Sequence, residues 1–239
     1  MAHTRAATRT MPTATSHTDR SHLRLWQLIS PTLPIGAFAY SDGLEPAIHA
    51  QLITDRTKLE DWLRELGDET LAKVDLVYLR ELYKAHTCAD QALAESLADE
   101  LLARRETQEL RASDAHLGQA LLRLLRDLDN APEQPTRTAQ STPFAYAFAC
   151  ACSHWNIGPE ACLEGYAWTW LENQVAAAVK LVPLGQTDGQ RALLNLSDEI
   201  HQWVRVSQTL ERALAGALTP GLAILSAMHE TQYSRLFRS

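Results

Sequence analysis

Apolar residues recur at helical spacing along most of this chain. Between Leu59 and Leu66, large apolar side chains fall at positions i, i+3, i+4 and i+7, which places them on one face of a helix. Thr57 and Glu60 open this segment with the spacing of a capping box. No stretch shows the two-residue alternation of a half-buried strand bounded by turns. The pattern therefore predicts an all-α fold, a single-domain bundle of roughly ten helices.

Interruptions in this periodicity divide the chain into separate helices. Gly67 weakens the pattern in the middle of one long segment, which indicates two abutting or kinked helices. Asp42 and Glu45 have the spacing of a capped helix start, with Pro46 in the first turn. The predicted helices run over 23–29, 42–52, 57–86, 89–128 with a charged interruption, 143–154, 159–182, 189–216 with a break near 195–198, and from 222 onward.

Two segments outside these helices are rich in small and polar residues. Residues 1–21 carry almost no large apolar side chain, so we expect a disordered extension, with an organellar transit peptide as the alternative. Residues 129–142 hold Pro132 and Pro135 among Thr, Gln and Ser, and we expect an exposed loop there. Residues 22–239 then form one folded domain.

Composition limits the classes of function. The chain has 239 residues, 46% of them hydrophobic, which suffices for one large core. Its net charge of −7 disfavours nucleic acid and anionic membrane surfaces as partners. No apolar run approaches the ~18 to 20 residues that a membrane span needs. The four cysteines lack the framework of a small secreted scaffold, so we expect reduced thiols in the cytoplasm.

Residues 29–45 form an apolar segment that cannot be a continuous helix. Pro31 and Pro34 each lack a backbone N–H and push the preceding residue to extended geometry. Gly36 and Gly43 suggest special backbone angles or the close approach of another element. The apolar residues of the segment are Leu33, Ile35, Phe38, Tyr40 and Leu44. An apolar, constrained loop of this kind is either a structural plug or a docking surface.

Residues that could carry chemistry do not converge on a catalytic or metal site. Cys150, Cys152 and His154 look like a metal cluster, but on a helix only Cys150 and His154 share a face. Core thiols therefore compete with a metal site as the explanation. The sequence has no Walker A loop, no paired Glu-x-x-His and no nucleophile elbow. We expect no enzyme, no directly bound cofactor and no metal site, with a helical enzyme holding a buried site as an alternative.

Three parts of the sequence, each with at least one basic residue, are candidates for contact with other proteins. Residues 104–111 are strongly charged and form either a solvated face with a helix cap at Thr107 or a partner contact. Lys180 lies in an apolar helical stretch with no carboxylate at the i±3 or i±4 positions, so it either reaches water or meets an acid or a carbonyl from elsewhere. Residues 229–239 concentrate Tyr, Arg, Leu and Phe, which either pack on the chain's own core or dock onto another chain.

Four blocks of this sequence resemble the UreF-type urease accessory proteins. Residues 30–45 read Ser-Pro-Thr-Leu-Pro-Ile-Gly-Ala-Phe-Ala-Tyr-Ser-Asp-Gly-Leu-Glu. This is similar to the family signature except at Ala37, where a second glycine is usual, and Pro46 just after it is also atypical. The other three similar blocks are residues 105–111, 170–186 and 229–239. Together with the helical texture between them, the resemblance covers roughly residues 23–239.

The resemblance implies a set of partner-binding residues. They lie in the proline-containing loop, near the end of a helix and in a partner-docking tail over residues 230–239: Pro34, Gly36, Phe38, Tyr40, Ser41, Gly43, Glu45, Lys180, Tyr233, Ser234, Arg235, Leu236, Phe237 and Arg238. By the same resemblance, Lys180 matches a partner-contact lysine and the tail contacts the scaffold protein. Arg235 matches an arginine that helps to recruit the GTPase.

The resemblance also implies a function. A protein of this kind is a cytoplasmic, homodimer-forming chaperone subunit that bridges a UreD/UreH-type scaffold and a UreG-type GTPase. Nickel and GTP act through the partner proteins, and the assembly delivers nickel to apo-urease as GTP is hydrolysed. The alternative is a true GTPase-activating protein that supplies Arg105, Arg111 or Arg235 to the nucleotide site of the GTPase.

Overall fold

The computed structural model describes residues 17–128, 142–182, 184–217 and 219–238. This part of the chain is mostly α-helical, contains no β-strand and has no helix long and apolar enough to cross a membrane. The helices are α1 His17–Leu28, α2 Leu44–His49, α3 Arg56–Leu66, α4 Leu76–Thr87, α5 Gln91–Ala103, α6 Gln108–Asp127, α7 Phe144–His154, α8 Pro159–Leu181, α9 Gln186–Thr209 and α10 Pro220–His229. Short 3₁₀ turns cover Ala37–Ala39 and Arg212–Leu214, and a π-helical segment covers Gly67–Asp75. The prediction of an all-α bundle is confirmed.

Helix α7 forms the centre of the bundle. Every residue from Phe144 to Cys152 is buried, as expected for a helix that is apolar on all sides. Helices α4 and α6 pack against α7, and α8, which also contacts α7, packs along α9. The rings of Phe144, Phe148 and Tyr166 contact one another with centroids 5.4 to 5.6 Å apart. These aromatic contacts join α7 to α8 in the core.

The weak point predicted at Gly67 is the start of the π-helical segment. Gly67 faces the indole ring of Trp203 on α9, and a Cβ at this position would lie 2.1 Å from Trp203 Cζ2. Trp203 is fully buried, and its Nε1 donates to Asp68 Oδ1 at 2.9 Å. The π-helical segment therefore joins α3 to α4, and the missing side chain at Gly67 makes room for Trp203.

Both segments predicted to be irregular are only partly described. Helix α1 begins at His17, so residues 17–21 are helical and the predicted end of the disordered extension is wrong. Residues 1–16 and 129–141 lie outside the described residues, and the expectations for them stay predictions. Thr142, the last residue of the predicted exposed loop, is buried close to Gly118 of α6. Thr142 itself is therefore not part of an exposed segment.

A predicted cap at α3 and a predicted break in α9 are wrong. Asp55, not Thr57, caps α3, because its carboxylate accepts the backbone N–H three residues on at 3.0 Å. The break predicted near residues 195–198 is absent, and α9 is continuous there. The polar side chains of residues 195–198 led to the predicted break. Side chains of this segment form hydrogen bonds while the helix stays continuous, and Asn195, for example, donates to Glu60 of α3 at 3.0 Å.

Candidate partner-binding surface

The proline loop, residues 30–45, packs between α8 and α10. Two of its residues have backbone angles that favour glycine. Gly36 and Gly43 have φ values of 79° and 88°, so the special geometry predicted for them is confirmed. A Cβ at Gly43 would lie 2.4 Å from Leu222 Cδ1 on α10. Pro34 and Phe38 are exposed, whereas the end of the loop is buried. The loop therefore combines an outer apolar surface with a tightly packed base.

Helix α2 starts differently from the prediction, and the difference matters for the surface. Ser41 Oγ, not Asp42, accepts the backbone N–H of Glu45 at 3.3 Å. The helix is also shorter than expected, because it ends at His49. The side chain of Glu45 is only 8% exposed. Its carboxylate is therefore not used in a capping box and faces the C-terminal tail instead.

The tail, residues 230–239, is bound to the proline loop through its backbone. Glu45 Oε1 accepts from Leu236 N at 2.7 Å, and Glu45 Oε2 accepts from Phe237 N at 2.8 Å. The next N–H, that of Arg238, donates to Ala39 O at 2.8 Å. Three successive tail residues are thus held by the loop, two of them through charge-assisted hydrogen bonds.

Lys180, near the C-terminus of α8, lies between the loop and the tail. Its Nζ is 5.8 Å from the centroid of the Phe38 ring and 5.7 Å from that of Phe237. These distances suit cation–π attraction to both rings. Lys180 is exposed, Phe38 is 69% exposed and Phe237 is buried. Lys180 therefore does more than reach water, because it contacts an aromatic ring from each of the other two segments.

A second group of charges holds the tail to α6. Arg235 NH1 donates to Glu109 Oε1 at 2.8 Å. The other oxygen of Glu109 lies 2.7 Å from Nδ1 of His229, the last residue of α10. His229 Nε2 lies 3.3 Å from Glu45 Oε2, so the two groups of contacts are connected. Glu109 also lies in the first turn of α6, where the helix dipole favours a negative charge.

The predicted partner-binding residues divide into exposed and buried sets. The exposed set is Pro34, Phe38, Lys180, Tyr233, Ser234, Arg235, Leu236 and Arg238. The buried set is Tyr40, Ser41, Gly43, Glu45 and Phe237, and Gly36 lies between the two. Tyr40, for example, contacts His116 Nδ1 through its hydroxyl at 3.0 Å. The buried residues support the surface from beneath, and partner binding by either set stays a prediction.

The tail could pack on the chain's own core or dock onto another chain, and its side chains differ in this respect. Phe237 packs on the chain's own core, as one of the two alternatives required. Tyr233 and Leu236 point to solvent, and Leu236 is 67% exposed. Single exposed apolar side chains are common on protein surfaces, so the docking of these two residues onto another chain stays a prediction.

The charged residues 104–111 are partly a buried structural cluster. Arg105 donates to Asp75 Oδ1 at 2.5 Å and to Asp114 Oδ2 at 2.8 Å. Burial raises the pKa of Asp75, although Arg105 opposes the shift. Arg105 is therefore unsuited to insertion into a partner's nucleotide site, contrary to its place among the candidate arginines. The predicted cap is confirmed, since Thr107 Oγ1 accepts from Leu110 N at 3.2 Å.

A cavity of about 130 Å³ lies beside this cluster. Its lining includes Arg105, Asp114, Tyr166 and Gln174. The arginine is paired with its two neighbouring carboxylates, and burial raises the pKa of Tyr166 well above its usual range. Gln174 Oε1 has no hydrogen-bond partner. The lining also includes Ser113, whose Oγ donates to Asp42 Oδ1 at 3.0 Å. The expectation of no enzyme stays a prediction.

The two cysteines of the apparent metal cluster lie in the core. Cys150 and Cys152 are both buried, and burial raises the pKa of the Cys150 thiol to about 12. A thiol that stays protonated is a poor metal ligand. His154 shares a face with Cys150 but lies near the surface. The core-thiol interpretation fits these positions.

Sequence reasoning missed two residues that organise the surface. Glu109 and His229 were not among the predicted site residues, although both lie within blocks that carry the family resemblance. They are 120 positions apart, and no local spacing pattern connects them. The one signal in the sequence that could have identified them is that both lie in blocks similar to the family.

Comparisons with known proteins give matches over most of the chain. The family model described as UreF matches residues 53–197 of the chain. The urease accessory protein UreF of Alkalilimnicola ehrlichii is 47% identical over 216 residues, which cover 90% of this chain and 95% of that protein. The UreF of Marinomonas sp. is 43% identical over 93% of this chain and 96% of its own length. That of Hahella chejuensis is 44% identical, with 91% and 97% covered.

Proposed function

The chain belongs to the UreF family of urease accessory proteins, and we propose that in urease maturation it bridges a UreD/UreH-type scaffold protein and a UreG-type GTPase. One observation carries the proposal. The proline loop, the end of α8 and the tail meet in one surface, with Lys180 between Phe38 and Phe237. The sequence resemblance assigned partner contact to each of these three segments separately.

The chemistry of the surface suits a protein partner. Lys180 and Arg238 bring positive charge to one region of a chain whose net charge is −7, whereas Arg235 is paired with Glu109. Two apolar side chains, Phe38 and Leu236, are exposed in the same region. Aromatic residues and arginine are typical anchors of protein interfaces. We therefore expect partners that present acidic groups around apolar contacts.

Nickel and GTP act through the partner proteins in this proposal. Within the described residues, no group of three or more His, Cys, Asp or Glu side chains is placed to hold a metal ion. The sequence also lacks a phosphate-binding loop of the Walker type. The chain is thus an accessory subunit that couples the nucleotide state of the GTPase to nickel delivery into apo-urease.

The resemblance supports two further parts of the proposal, a cytoplasmic location and a homodimeric state. The four cysteines are free thiols, which agrees with a reducing compartment. Light scattering on the purified chain tests the dimer directly, and a monomer at micromolar concentration would contradict it.

A true GTPase-activating role is the second candidate, and the position of Arg235 favours it. The Arg235 side chain is 40% exposed, although Glu109 binds it. Arg111 is exposed as well, and it donates to Arg105 O. GTP turnover by the GTPase, measured with the wild-type chain and with Arg235→Ala or Arg111→Ala, separates the candidates. An arginine finger typically contributes ~10³- to 10⁵-fold in turnover, whereas loss of a docking contact lowers only the affinity.

Reconstitution tests the bridging function. The chain is mixed with scaffold protein, GTPase, apo-urease, nickel and GTP, and urease activity is measured. We expect activity with the full chain and none with a chain that lacks residues 230–239. The deletion should abolish co-purification with the scaffold protein while circular dichroism shows the same helical content.

Point variants provide a matched control for the deletion. Leu236→Ser removes an exposed leucine of the tail, and Leu194→Ser removes an equally exposed leucine of α9. Only Leu236→Ser should weaken co-purification with the scaffold. Full activity and unchanged co-purification after the deletion would contradict the role given to the tail.

A further inference from the structure

The cavity beside Arg105 lies where several elements of the bundle meet. The π-helical segment Gly67–Asp75 and the helices α6, α7 and α8 all contribute side chains to its lining. Short π-helical segments within α-helices are frequent at functional sites. One water needs about 10 to 15 Å³ of cavity volume, so a cavity of about 130 Å³ has room for a molecule of several heavy atoms. The cavity is therefore large enough for a small ligand.

Gln174 brings to this cavity an acceptor that the chain leaves unused. The residue is 1% exposed, and its Oε1 accepts no hydrogen bond from any of the described residues. Buried polar atoms in folded proteins nearly always have a hydrogen-bond partner, because an unpaired one loses its contact with water and gains nothing in return. The unpaired amide oxygen therefore indicates an occupant of the cavity that donates an N–H or an O–H.

The charges around the cavity favour a cation as that occupant. Among the described lining residues, three carboxylates, those of Asp42, Asp75 and Asp114, face one basic side chain, that of Arg105. Arg105 is paired with Asp75 and Asp114. Burial raises the pKa of Asp75, Arg105 opposes this shift, and the charge of Asp114 adds to it. Because one guanidinium cannot balance three carboxylates, an occupant with a positive charge is stabilised there and an anion is disfavoured.

The rest of the lining is apolar and suits an organic cation. Phe144, Tyr166 and Trp170 contribute aromatic rings, and Leu66 and Leu117 contribute aliphatic side chains. Aromatic rings attract cations, and aliphatic side chains pack against alkyl groups. A bare metal ion suits this lining less well, since no group of His, Cys, Asp or Glu in the described part of the chain is placed to hold one.

We propose that this cavity binds a small primary alkylammonium ion, of the size of methylammonium or ethylammonium, and that Gln174 Oε1 accepts one of its N–H groups. The charge of the ion balances the excess of carboxylates, and its alkyl group contacts the apolar part of the lining. Such binding does not depend on the bridging function, because the cavity lies within a single chain.

A series of salts tests the site on the full wild-type chain. The melting temperature and the heat of binding are measured in methylammonium, tetramethylammonium and sodium chloride at equal ionic strength. Tetramethylammonium keeps the charge of methylammonium but has no N–H, and sodium has neither an N–H nor an alkyl group. We expect a saturable heat of binding and a rise in melting temperature with methylammonium alone. Equal responses to the three salts would overturn the proposal.

A variant of the acceptor tests the contact assigned to it. Gln174→Met keeps the length of the side chain and removes the amide oxygen, so we expect the dissociation constant of methylammonium to rise about tenfold or more. Gln190→Met is the matched control, because Gln190 is an exposed glutamine of α9 outside the lining, and it should bind as the wild type does. Wild-type affinity in Gln174→Met would contradict the site.

Two further measurements decide the question if Gln174→Met fails to fold. Leu117→Phe narrows the cavity from a half-buried position of α6 without removing a polar group, and it should also weaken methylammonium binding. A crystal structure of the wild-type chain grown in ethylammonium should show the ion within hydrogen-bonding distance of Gln174 Oε1. Ordered water as the one occupant of the cavity in that crystal would overturn the proposal.

Discussion

Lys180 occupies a position in which a single side chain connects three distant segments. Its ammonium group lies between the rings of Phe38 and Phe237 and stays exposed to solvent. Cation–π contacts at exposed sites are each worth about 0.5 to 1 kcal/mol. The residue therefore orders the surface without holding the fold together.

Lys180→Ala should weaken partner binding with little effect on stability. We expect the dissociation constant of the complex to rise about three- to tenfold, and the free energy of unfolding to change by less than about 1 kcal/mol. Lys84→Ala is the control, because Lys84 is an exposed helical lysine paired only with Glu81 three residues away. A large fall in melting temperature would instead mark Lys180 as a structural residue.

At the scale of elements, the π-helical segment Gly67–Asp75 shows how one small residue shapes the packing between helices. Trp203 of α9 fills the space beside Gly67 and also contacts the Trp170 ring of α8, with centroids 5.9 Å apart. The position links α3, α8 and α9. A side chain at Gly67 would have to displace an indole that is buried on all sides.

Gly67→Ala should therefore destabilise the fold. Overpacking of this kind costs about 1 to 3 kcal/mol, which exceeds the ~0.5 to 1 kcal/mol that alanine contributes over glycine in a helix. Chemical denaturation, followed by tryptophan fluorescence, measures the difference. Gly221→Ala in α10 is the control, because open space surrounds that position and we expect equal or slightly higher stability. Equal stability of both variants would contradict the packing argument.

At the scale of the whole molecule, α4 packs against the central helix α7, and one histidine makes that interface sensitive to pH. His86 of α4 packs edge-on against the Tyr146 ring at 4.7 Å. Its Nε2 has no hydrogen-bond partner, and burial lowers the pKa of His86 from 6.5 to about 4. Between these values, the unfolded chain binds a proton that the folded chain does not.

Stability should therefore fall as the pH decreases from about 6.5 to about 4. The loss attributable to His86 is about 1 to 2 kcal/mol between pH 7 and pH 5, at roughly 1.4 kcal/mol per pH unit below 6.5 and reduced by partial exposure. His86→Leu should remove this part of the pH dependence. Urea denaturation of both proteins at the two pH values checks it, and equal slopes against pH would contradict the assignment.

The helices of this protein follow from local pattern. Spacings of three and four residues, together with proline and glycine, predicted nearly every helix, because each backbone hydrogen bond of a helix spans only four residues. Local pattern was less accurate where two local options compete, as at the caps of α2 and α3 and at Asn195. At Asn195 the outcome depends on a contact with another helix, the hydrogen bond that Asn195 donates to Glu60.

The surface depends on contacts that no local pattern encodes. Glu45 meets Phe237 across 192 positions, and His229 meets Glu109 across 120. From the sequence alone, Arg105 could be a free surface arginine. In the folded structure it is paired with Asp75 and Asp114. Family resemblance could identify the segments that form the surface, because each motif is a short run of neighbouring residues that can be read from the sequence. That these segments meet could be seen only in the folded structure, because the distance between residues remote in sequence depends on the orientation of every helix and turn between them.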